Sequence, residues 1–119
     1  MATITLGAEN FESTVTENDI VFVDFWASWC GPCRMFAPVY EKAAAEHPDI
    51  VFGKVDTEAE QALAAAASIT SIPTLMAFKG GTLVFSQPGA LPAAALEQVI
   101  TAVRDLDVDA ALAGQKQSA

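Results

Sequence analysis

The chain has 119 residues, of which 52% are hydrophobic and 18% are charged, a composition that suits one folded domain with its own core. Six basic and fifteen acidic residues give a net charge of −9, which repels phosphate backbones and anionic membrane surfaces. Binding to nucleic acid or to a lipid surface is therefore not expected. The N-terminal residues lack the basic and apolar segments of a secretion signal, and the longest uncharged stretches are too polar to span a bilayer. We expect a cytoplasmic protein.

The first half of the chain alternates strand-like and helix-like patterns. Residues 4–6 predict a short strand, and Asn10 suits the N-cap of a first helix. Residues 20–27 are apolar except for one aspartate, which indicates a central strand covered on both faces. Residues 32–46 then repeat apolar side chains at helical spacing, and Pro38 is expected to bend that helix because it removes a backbone donor.

The second half continues the alternation and adds a hairpin. Residues 50–55 predict another buried strand. Thr57, with Glu60 three residues later, forms a capping-box pattern at the start of an alanine-rich helix. Residues 74–78 and 82–86 predict an antiparallel hairpin whose turn contains a Gly-Gly pair.

A last helix is predicted from Pro92 onward because proline suits the first helical turn. It carries one apolar stripe, formed by Leu96, Val99, Ile100, Val103 and Leu106. The complete order, β-α-β-α-β-α-β-β-α, predicts an α/β fold with a mixed sheet. We expect one domain over residues 1–107 and a flexible C-terminal tail over residues 108–119, where little can be buried.

The only two cysteines, Cys30 and Cys33, form a C-x-x-C motif where the central strand meets the next helix. Free N–H groups and the helix dipole stabilise a thiolate at Cys30, whereas Cys33 lies within the first turn on the sheltered apolar face. An accessible thiolate followed by a second thiol within reach is what dithiol-disulfide exchange requires. Pro32 between them stiffens the loop and keeps the two sulfurs close.

Three other interpretations of the cysteine pair compete with a redox role. A structural disulfide would close a very small loop and would add little stability. A zinc site needs about four ligands, and the chain offers two cysteines and one histidine, His47, on a distant segment. Two core cysteines without a role would not explain their place at a helix start. The redox interpretation is therefore favoured, and no metal site is expected.

Asp24 is the aspartate of the predicted central strand, where it shares a face with Phe22 and Trp26. A buried carboxyl group without a partner has a raised pKa and can hold or release a proton near neutral pH. Our hypothesis is that Asp24 takes the proton of Cys33 when that thiol becomes a nucleophile. The alternative is a carboxylate at a strand end, solvated or paired with Lys54 on an adjoining segment.

A resemblance to the thioredoxin family rests on four segments: VDFWASWCGPCRMFAP, KVDTE, SIPTLMAFKGG and PGAL. They follow the family in order and spacing from about residue 4 to residue 106. The resemblance implies the thioredoxin fold, a central mixed β-sheet flanked by helices on both faces. It also implies that Cys30 is the nucleophile, Cys33 the resolving thiol and Asp24 the buried proton carrier, with a redox-active Cys30–Cys33 disulfide.

The resemblance extends to the residues around the cysteines. Gly31 and Pro32 are similar to the dipeptide of reducing members, and Pro73 is similar to the cis-proline that packs against the active-site sulfurs. An apolar patch for substrate peptide is implied at Trp29, Gly31, Pro32, Ile72, Pro73, Gly89 and Ala90. Gly89 equally suits a turn. Ser28 stands where many bacterial members carry an acid.

The function implied by the resemblance is that of a protein disulfide reductase, an electron donor recharged by thioredoxin reductase. The implied partners are that reductase and disulfide-containing client proteins. No cofactor is expected on this chain, since NADPH and FAD belong to the reductase, and we expect a monomer. A disulfide oxidant or isomerase of an export compartment is one alternative, disfavoured by the Gly-Pro pair and the missing signal. A non-catalytic binding module is another, disfavoured by the presence of both cysteines and Asp24.

Overall fold

A five-stranded sheet with four helices forms the part of the chain, residues 2–112, that the computed structural model describes. The predicted order of helices and strands is confirmed. None of the helices within these residues has the length and apolar character needed to cross a membrane. In chain order the elements are β1 (Ile4–Thr5), α1 (Phe11–Glu17), β2 (Ile20–Trp26), α2 (Gly31–Glu46), β3 (Val51–Asp56), α3 (Gln61–Ala66), β4 (Thr74–Lys79), β5 (Thr82–Pro88) and α4 (Ala93–Asp105).

The sheet is mixed, with the strand order β1-β3-β2-β4-β5. β3 pairs in parallel with β1 and β2, as helical crossovers require, and β4 pairs antiparallel with β2 and β5. Gly80 and Gly81 connect the hairpin with φ angles of +59° and +80°, a conformation that glycine adopts without strain. β2 therefore lies at the centre of the sheet, as its apolar sequence predicts.

Helices cover both faces of the sheet, so the predicted α/β architecture is confirmed. On one face, Phe22 of β2 packs in a core with buried side chains of α2 and α4. On the other, Val23 and its neighbours pack with α1 and α3. Burial of each large apolar side chain stabilises the fold by about 1.5–3 kcal/mol. The predicted stripe of α4 is confirmed by the burial of Leu96, Ile100 and Val103.

The predicted capping box of Thr57 and Glu60 is wrong. Thr57 Oγ1 instead donates to the backbone oxygen of Trp26 at 3.0 Å, and the helix begins only at Gln61. The Glu60 carboxylate accepts a hydrogen bond from the backbone N–H of Ala8 at 3.1 Å. Partners from distant segments thus replace the local bonds that the sequence pattern predicts.

Lys79, at the end of β4, caps the C-terminal end of α4. Its Nζ donates to the backbone oxygens of Val103, Arg104 and Leu106 at 2.8, 2.8 and 2.7 Å. These carbonyl groups lie in the last turn of α4 and directly after it, where a cation complements the helix dipole. Residues 108–112, in the predicted tail, form a further short helical segment. Residues 113–119 of that tail lie outside the described residues.

Candidate active site

Cys30 lies directly before α2 as its N-cap residue, at the predicted junction between the central strand and the helix. It forms a disulfide with Cys33, and the Cα atoms of the two residues are 5.2 Å apart. The backbone N–H of Cys33 also donates to Cys30 Sγ at 3.2 Å. The same N–H and the helix dipole favour a thiolate at Cys30 once the disulfide is reduced.

Both cysteines are buried in the disulfide, with exposed fractions of 4% for Cys30 and 3% for Cys33. The expected contrast between an accessible Cys30 thiolate and a sheltered Cys33 thiol concerns the reduced protein and stays a prediction. The pair forms a small cluster with Ala27, against which Trp26 and Ile72 pack. In the disulfide the two residues differ in their position relative to the helix start and hardly in their exposed fraction.

Asp24 is fully buried in β2, at 0% exposure. Neither carboxylate oxygen has a hydrogen-bond partner among residues 2–112. Burial raises the pKa of Asp24 from 3.8 to about 7, although the positive charge of Lys54 acts in the opposite direction. The expected burial is confirmed, and the alternative of a solvated or firmly paired carboxylate is wrong.

Lys54 lies beside Asp24 but contacts a different side chain. The two residues are directly paired in the register of β2 and β3. The Lys54 Nζ atom lies 5.0 Å from the centroid of the Trp26 ring. A lysine ammonium at this distance over an indole is attracted by the ring face. The cation nearest to Asp24 in the sheet is thus placed against Trp26.

The loop before β4 brings a second segment to the disulfide. The Ile72–Pro73 peptide bond is cis, and the Ile72 oxygen lies 3.8 Å from Cys30 Sγ. The Pro73 oxygen accepts a hydrogen bond from the N–H of Gly89 at 2.7 Å. Gly89 has a φ angle of +100°, which confirms the prediction that it suits a turn. Its hydrogen bond to the Pro73 oxygen places it next to that proline. Ala90, the next residue, is exposed.

The other side of the disulfide carries an exposed apolar surface. Trp29 is 65% exposed, and its Nε1 donates to Glu58 Oε1 at 2.8 Å. Pro32 is exposed and Gly31 half-buried at the start of α2. The predicted patch residues therefore lie on three short segments, 29–32, 72–73 and 89–90.

Three polar contacts around the site do not follow from the sequence reasoning. Glu58 fixes the Trp29 indole, and Arg34 Nη1 donates to the backbone oxygen of Ser28 at 3.0 Å. Both residues belong to recognised motifs, KVDTE and the basic residue after the second cysteine, but a motif does not identify a bonding partner. The sequence pattern places Tyr40 only on the apolar face of α2. Its hydroxyl donates to the buried Gly53 oxygen at 2.9 Å.

The arrangement can perform thiol-disulfide chemistry without a metal. Within residues 2–112, no group of three or more His, Cys, Asp or Glu side chains is placed to bind a metal ion. The chemically distinctive groups are the disulfide at the start of α2 and the unpartnered carboxyl group of Asp24.

The family model and the sequence relatives that match this chain all belong to one family. The thioredoxin family model matches residues 2–102. "Putative thioredoxin 2" of Streptomyces coelicolor is 60% identical over 108 residues, which cover 91% of this chain and 81% of that protein. "Thioredoxin" of Alicyclobacillus acidocaldarius is 43% identical over 97 residues, covering 81% of this chain and 92% of the relative.

Solved structures agree with the sequence relatives. A mutant thioredoxin from Halobacterium salinarum superposes with a TM-score of 0.80 at 35% identity, covering 88% of this chain and 92% of that one. Plasmodium falciparum thioredoxin superposes with a TM-score of 0.77 at 37% identity, covering 83% of this chain and 96% of that one. The shared sequence and fold, together with a disulfide at the start of α2, show that the chain belongs to the thioredoxin family and carries its redox-active cysteine pair.

Proposed function

We propose that the chain reduces protein disulfides by dithiol-disulfide exchange, with Cys30 as nucleophile, Cys33 as resolving thiol and Asp24 as proton carrier. One observation carries the proposal: a disulfide at a helix start lies above a sheet in which an aspartate is buried without a partner. A buried carboxyl group lacking a hydrogen bond destabilises the fold by several kcal/mol. Such a residue is more readily explained by chemistry than by packing.

The first step begins with the reduced protein. The Cys30 thiolate attacks one sulfur of a client disulfide, a Cys30–client disulfide forms, and the second client sulfur leaves as a thiolate. The helix start assists this attack because it stabilises the thiolate of Cys30 over that of Cys33. Gly31 and Pro32 set the short connection that keeps Cys33 within reach.

The second step releases the client. Cys33 gives its proton to the Asp24 carboxylate, and the resulting thiolate attacks Cys30 Sγ. The client leaves as its second thiolate, and the Cys30–Cys33 disulfide seen in the structure is the oxidised product. Two electrons have then passed from the protein to the client. A carboxyl pKa of about 7 suits this transfer, since Asp24 can accept and release a proton at neutral pH.

Client binding is proposed on the three short segments that carry the predicted patch. The surface comprises Trp29, Gly31, Pro32, Ile72, Pro73, Gly89 and Ala90. The exposed Trp29 indole supplies apolar contact area, while the hydrogen bond to Glu58 restricts its orientation. The Ile72 oxygen, close to Cys30 Sγ, lies where the client backbone would pass.

Thioredoxins are typically recharged by thioredoxin reductase, and we propose the same cycle here. The reductase would supply two electrons from NADPH through its FAD, so this chain needs no bound cofactor of its own. We further propose that the chain acts in the cytoplasm as a monomer, with residues 1–107 as the functional domain and residues 108–119 as an accessory tail.

A trapping experiment tests the division of labour between the cysteines. Reduced Cys33→Ser protein, mixed with a peptide that contains one disulfide, should accumulate a covalent peptide adduct at Cys30, measured by intact-protein mass spectrometry. The matched Cys30→Ser variant should accumulate almost none. Equal trapping by the two variants would contradict the assignment of Cys30 as nucleophile.

A redox titration separates reductase from oxidant. A midpoint near about −270 mV fits a reductase, and one near about −120 mV fits a disulfide oxidant. The wild-type protein can be equilibrated with glutathione or dithiothreitol buffers and its disulfide fraction quantified by alkylation. The oxidant value would reject the proposed direction of electron flow.

A further inference from the structure

Lys54 lies between two competing partners on one face of the sheet. Asp24 is its direct neighbour in the register of β2 and β3, and Trp26 follows Asp24 two residues later on the same face of β2. The Lys54 Nζ atom lies 5.0 Å from the Trp26 ring centroid, whereas the Asp24 oxygens have no hydrogen-bond partner in the described chain. The ammonium group therefore rests on the indole and leaves the carboxyl group free.

We propose that the Trp26 ring holds the Lys54 ammonium away from Asp24 and thereby sets how readily Asp24 exchanges a proton in the resolving step. The inference deepens the proposed function and rests on Asp24 as proton carrier. Trp26 is a positioning residue in this account, since it acts through Lys54 and not on the client. Its ring also packs against the cluster of Ala27, Cys30 and Cys33, so it connects the lysine with the disulfide.

The position of the ammonium group decides whether Asp24 is a useful base. A lysine bonded directly to the carboxylate would lower the pKa of Asp24 by about 1–3 units, and the carboxylate would then bind the Cys33 proton weakly. Held on the indole, the ammonium lowers the pKa less than burial raises it, and the pKa remains at about 7. Lys54 and Trp26 are both half-buried, so the indole attracts the ammonium while water screens the contact only in part.

Other groups facing Asp24 do not take the place of Lys54. Tyr40 on α2 directs its hydroxyl to the Gly53 oxygen, and burial with the nearby Asp24 charge raises the pKa of Tyr40 well above its usual value. On β4, the residue paired with Asp24 is the apolar Leu75. Cys33, at the start of α2, is the proposed proton donor. Lys54 is therefore the positive charge that acts on Asp24 from the surrounding elements.

The test measures the Asp24 carboxyl group directly. The oxidised protein, labelled with ¹³C at aspartate, can be titrated by NMR, and the Asp24→Asn variant identifies the Asp24 signal. In Trp26→Leu, the released ammonium should approach Asp24 and lower the titration midpoint by about one pH unit. Trp26→Phe keeps an aromatic face that binds cations less strongly, so it should lower the midpoint by less.

A smaller residue at position 26 could also admit water and lower the Asp24 titration midpoint without any movement of Lys54. The same substitution in a Lys54→Met protein separates these two causes. In Lys54→Met protein no ammonium remains, so adding Trp26→Leu should leave the midpoint nearly unchanged. Equal downward shifts with and without Lys54, or no shift in Trp26→Leu, would overturn the proposal. If Trp26→Leu does not fold, Trp26→Phe is compared in the same two backgrounds, with the same signs and smaller shifts.

A kinetic measurement completes the test. The decay rate of a preformed Cys30–peptide disulfide reports the resolving step, and its pH midpoint should move with the NMR midpoint in every variant. A moved NMR midpoint with an unmoved rate profile would overturn the catalytic half of the inference, because Asp24 would then not carry the proton. Failure of Cys33→Ser to trap a client would instead reject the proposed function, whatever the NMR titration shows.

Discussion

Asp24 and Asp49 show opposite environments for a carboxyl group within one small fold. Asp24 is buried without a hydrogen-bond partner in the described chain, and its pKa is raised to about 7. Asp49 lies on the surface, where Arg104 donates to both of its oxygens, at 2.6 and 3.0 Å. The bond to Arg104 lowers the pKa of Asp49 to about 2. One group is made ready to exchange a proton, and the other remains ionised.

The two aspartates also differ in role: Asp49 helps to hold α2 against α4, and Asp24 is the proposed proton carrier. Asp49 belongs to a surface cluster beyond the C-terminal end of α2, in which Arg104 also contacts His47 Nδ1 at 2.9 Å and His47 Nε2 contacts Glu97 at 2.8 Å. These bonds tie the end of α2 to α4. Because water screens exposed ion pairs, their contribution to stability is modest. The unpaired Asp24 lies in the central strand β2, where its ionised form destabilises the fold and its proton exchange supplies reactivity.

Replacing Asp24 by Asn removes the buried acid and should have the largest effect. The folded-state pKa, about 7, exceeds the ordinary value of 3.8, so wild-type stability should fall as pH rises past 3.8 and level off above 7. At about 1.36 kcal/mol per pKa unit, this loss is roughly 4 kcal/mol. Chemical denaturation between pH 4 and 9 should show the loss in wild type and not in Asp24→Asn.

The same variant tests the catalytic side of the comparison. Asp24→Asn should slow the resolving step by about 10²–10⁴-fold, while the first attack by Cys30 stays close to the wild-type rate. Stopped-flow measurements of mixed-disulfide formation and decay separate the two steps. An Asp24→Asn variant with wild-type decay, and with the wild-type loss of stability between pH 4 and 7, would make Asp24 a structural residue.

The Tyr40 hydroxyl is a buried polar group that, unlike Asp24, has a hydrogen-bond partner in the described chain, and Tyr40→Phe removes it. The hydroxyl donates to the buried Gly53 oxygen at 2.9 Å, and the variant removes that hydrogen bond. We expect a loss of about 1–3 kcal/mol that is the same at pH 5 and pH 9, measured by chemical denaturation. A loss that grows with pH would show that the hydroxyl group acts on the Asp24 carboxylate and not only on the backbone of β3.

Local sequence predicts a residue's environment correctly where that environment depends on the residue's own segment. The apolar neighbours of Asp24 predict its burial, because residues of a central strand are covered on both faces. The break between a strand and an amphipathic helix likewise places Cys30 at a helix start. The hairpin follows from Gly80 and Gly81, since their turn needs positive φ angles.

Local sequence does not predict a hydrogen-bond partner or a neighbour that comes from a distant segment. The pattern around Thr57 predicts a helix cap, but the Trp26 oxygen at the end of β2 accepts from both the Thr57 hydroxyl and the Thr57 backbone N–H, and the backbone bond extends the pairing of β2 and β3. Nothing in the pattern around Glu58 predicts that its carboxylate receives the Trp29 indole N–H. The placement of Ile72 beside Cys30 follows only from the resemblance to the thioredoxin family, because a loop position depends on tertiary contacts.

Asp49→Asn removes the paired acid and should have the smallest effect. Because the folded-state pKa of Asp49, about 2, lies below the ordinary value of 3.8, the pair stabilises the fold above pH 3.8 and loses its effect as pH falls to 2. The melting temperature of the variant should therefore be slightly lower than wild type at pH 7 and equal to it near pH 2. In about 1 M salt, where the Debye length is about 3 Å, the difference at pH 7 should shrink, whereas the pH-dependent advantage of Asp24→Asn should remain. A large decrease that persists in high salt would show that Asp49 anchors α2 to α4 by geometry more than by charge, and would weaken the contrast with Asp24.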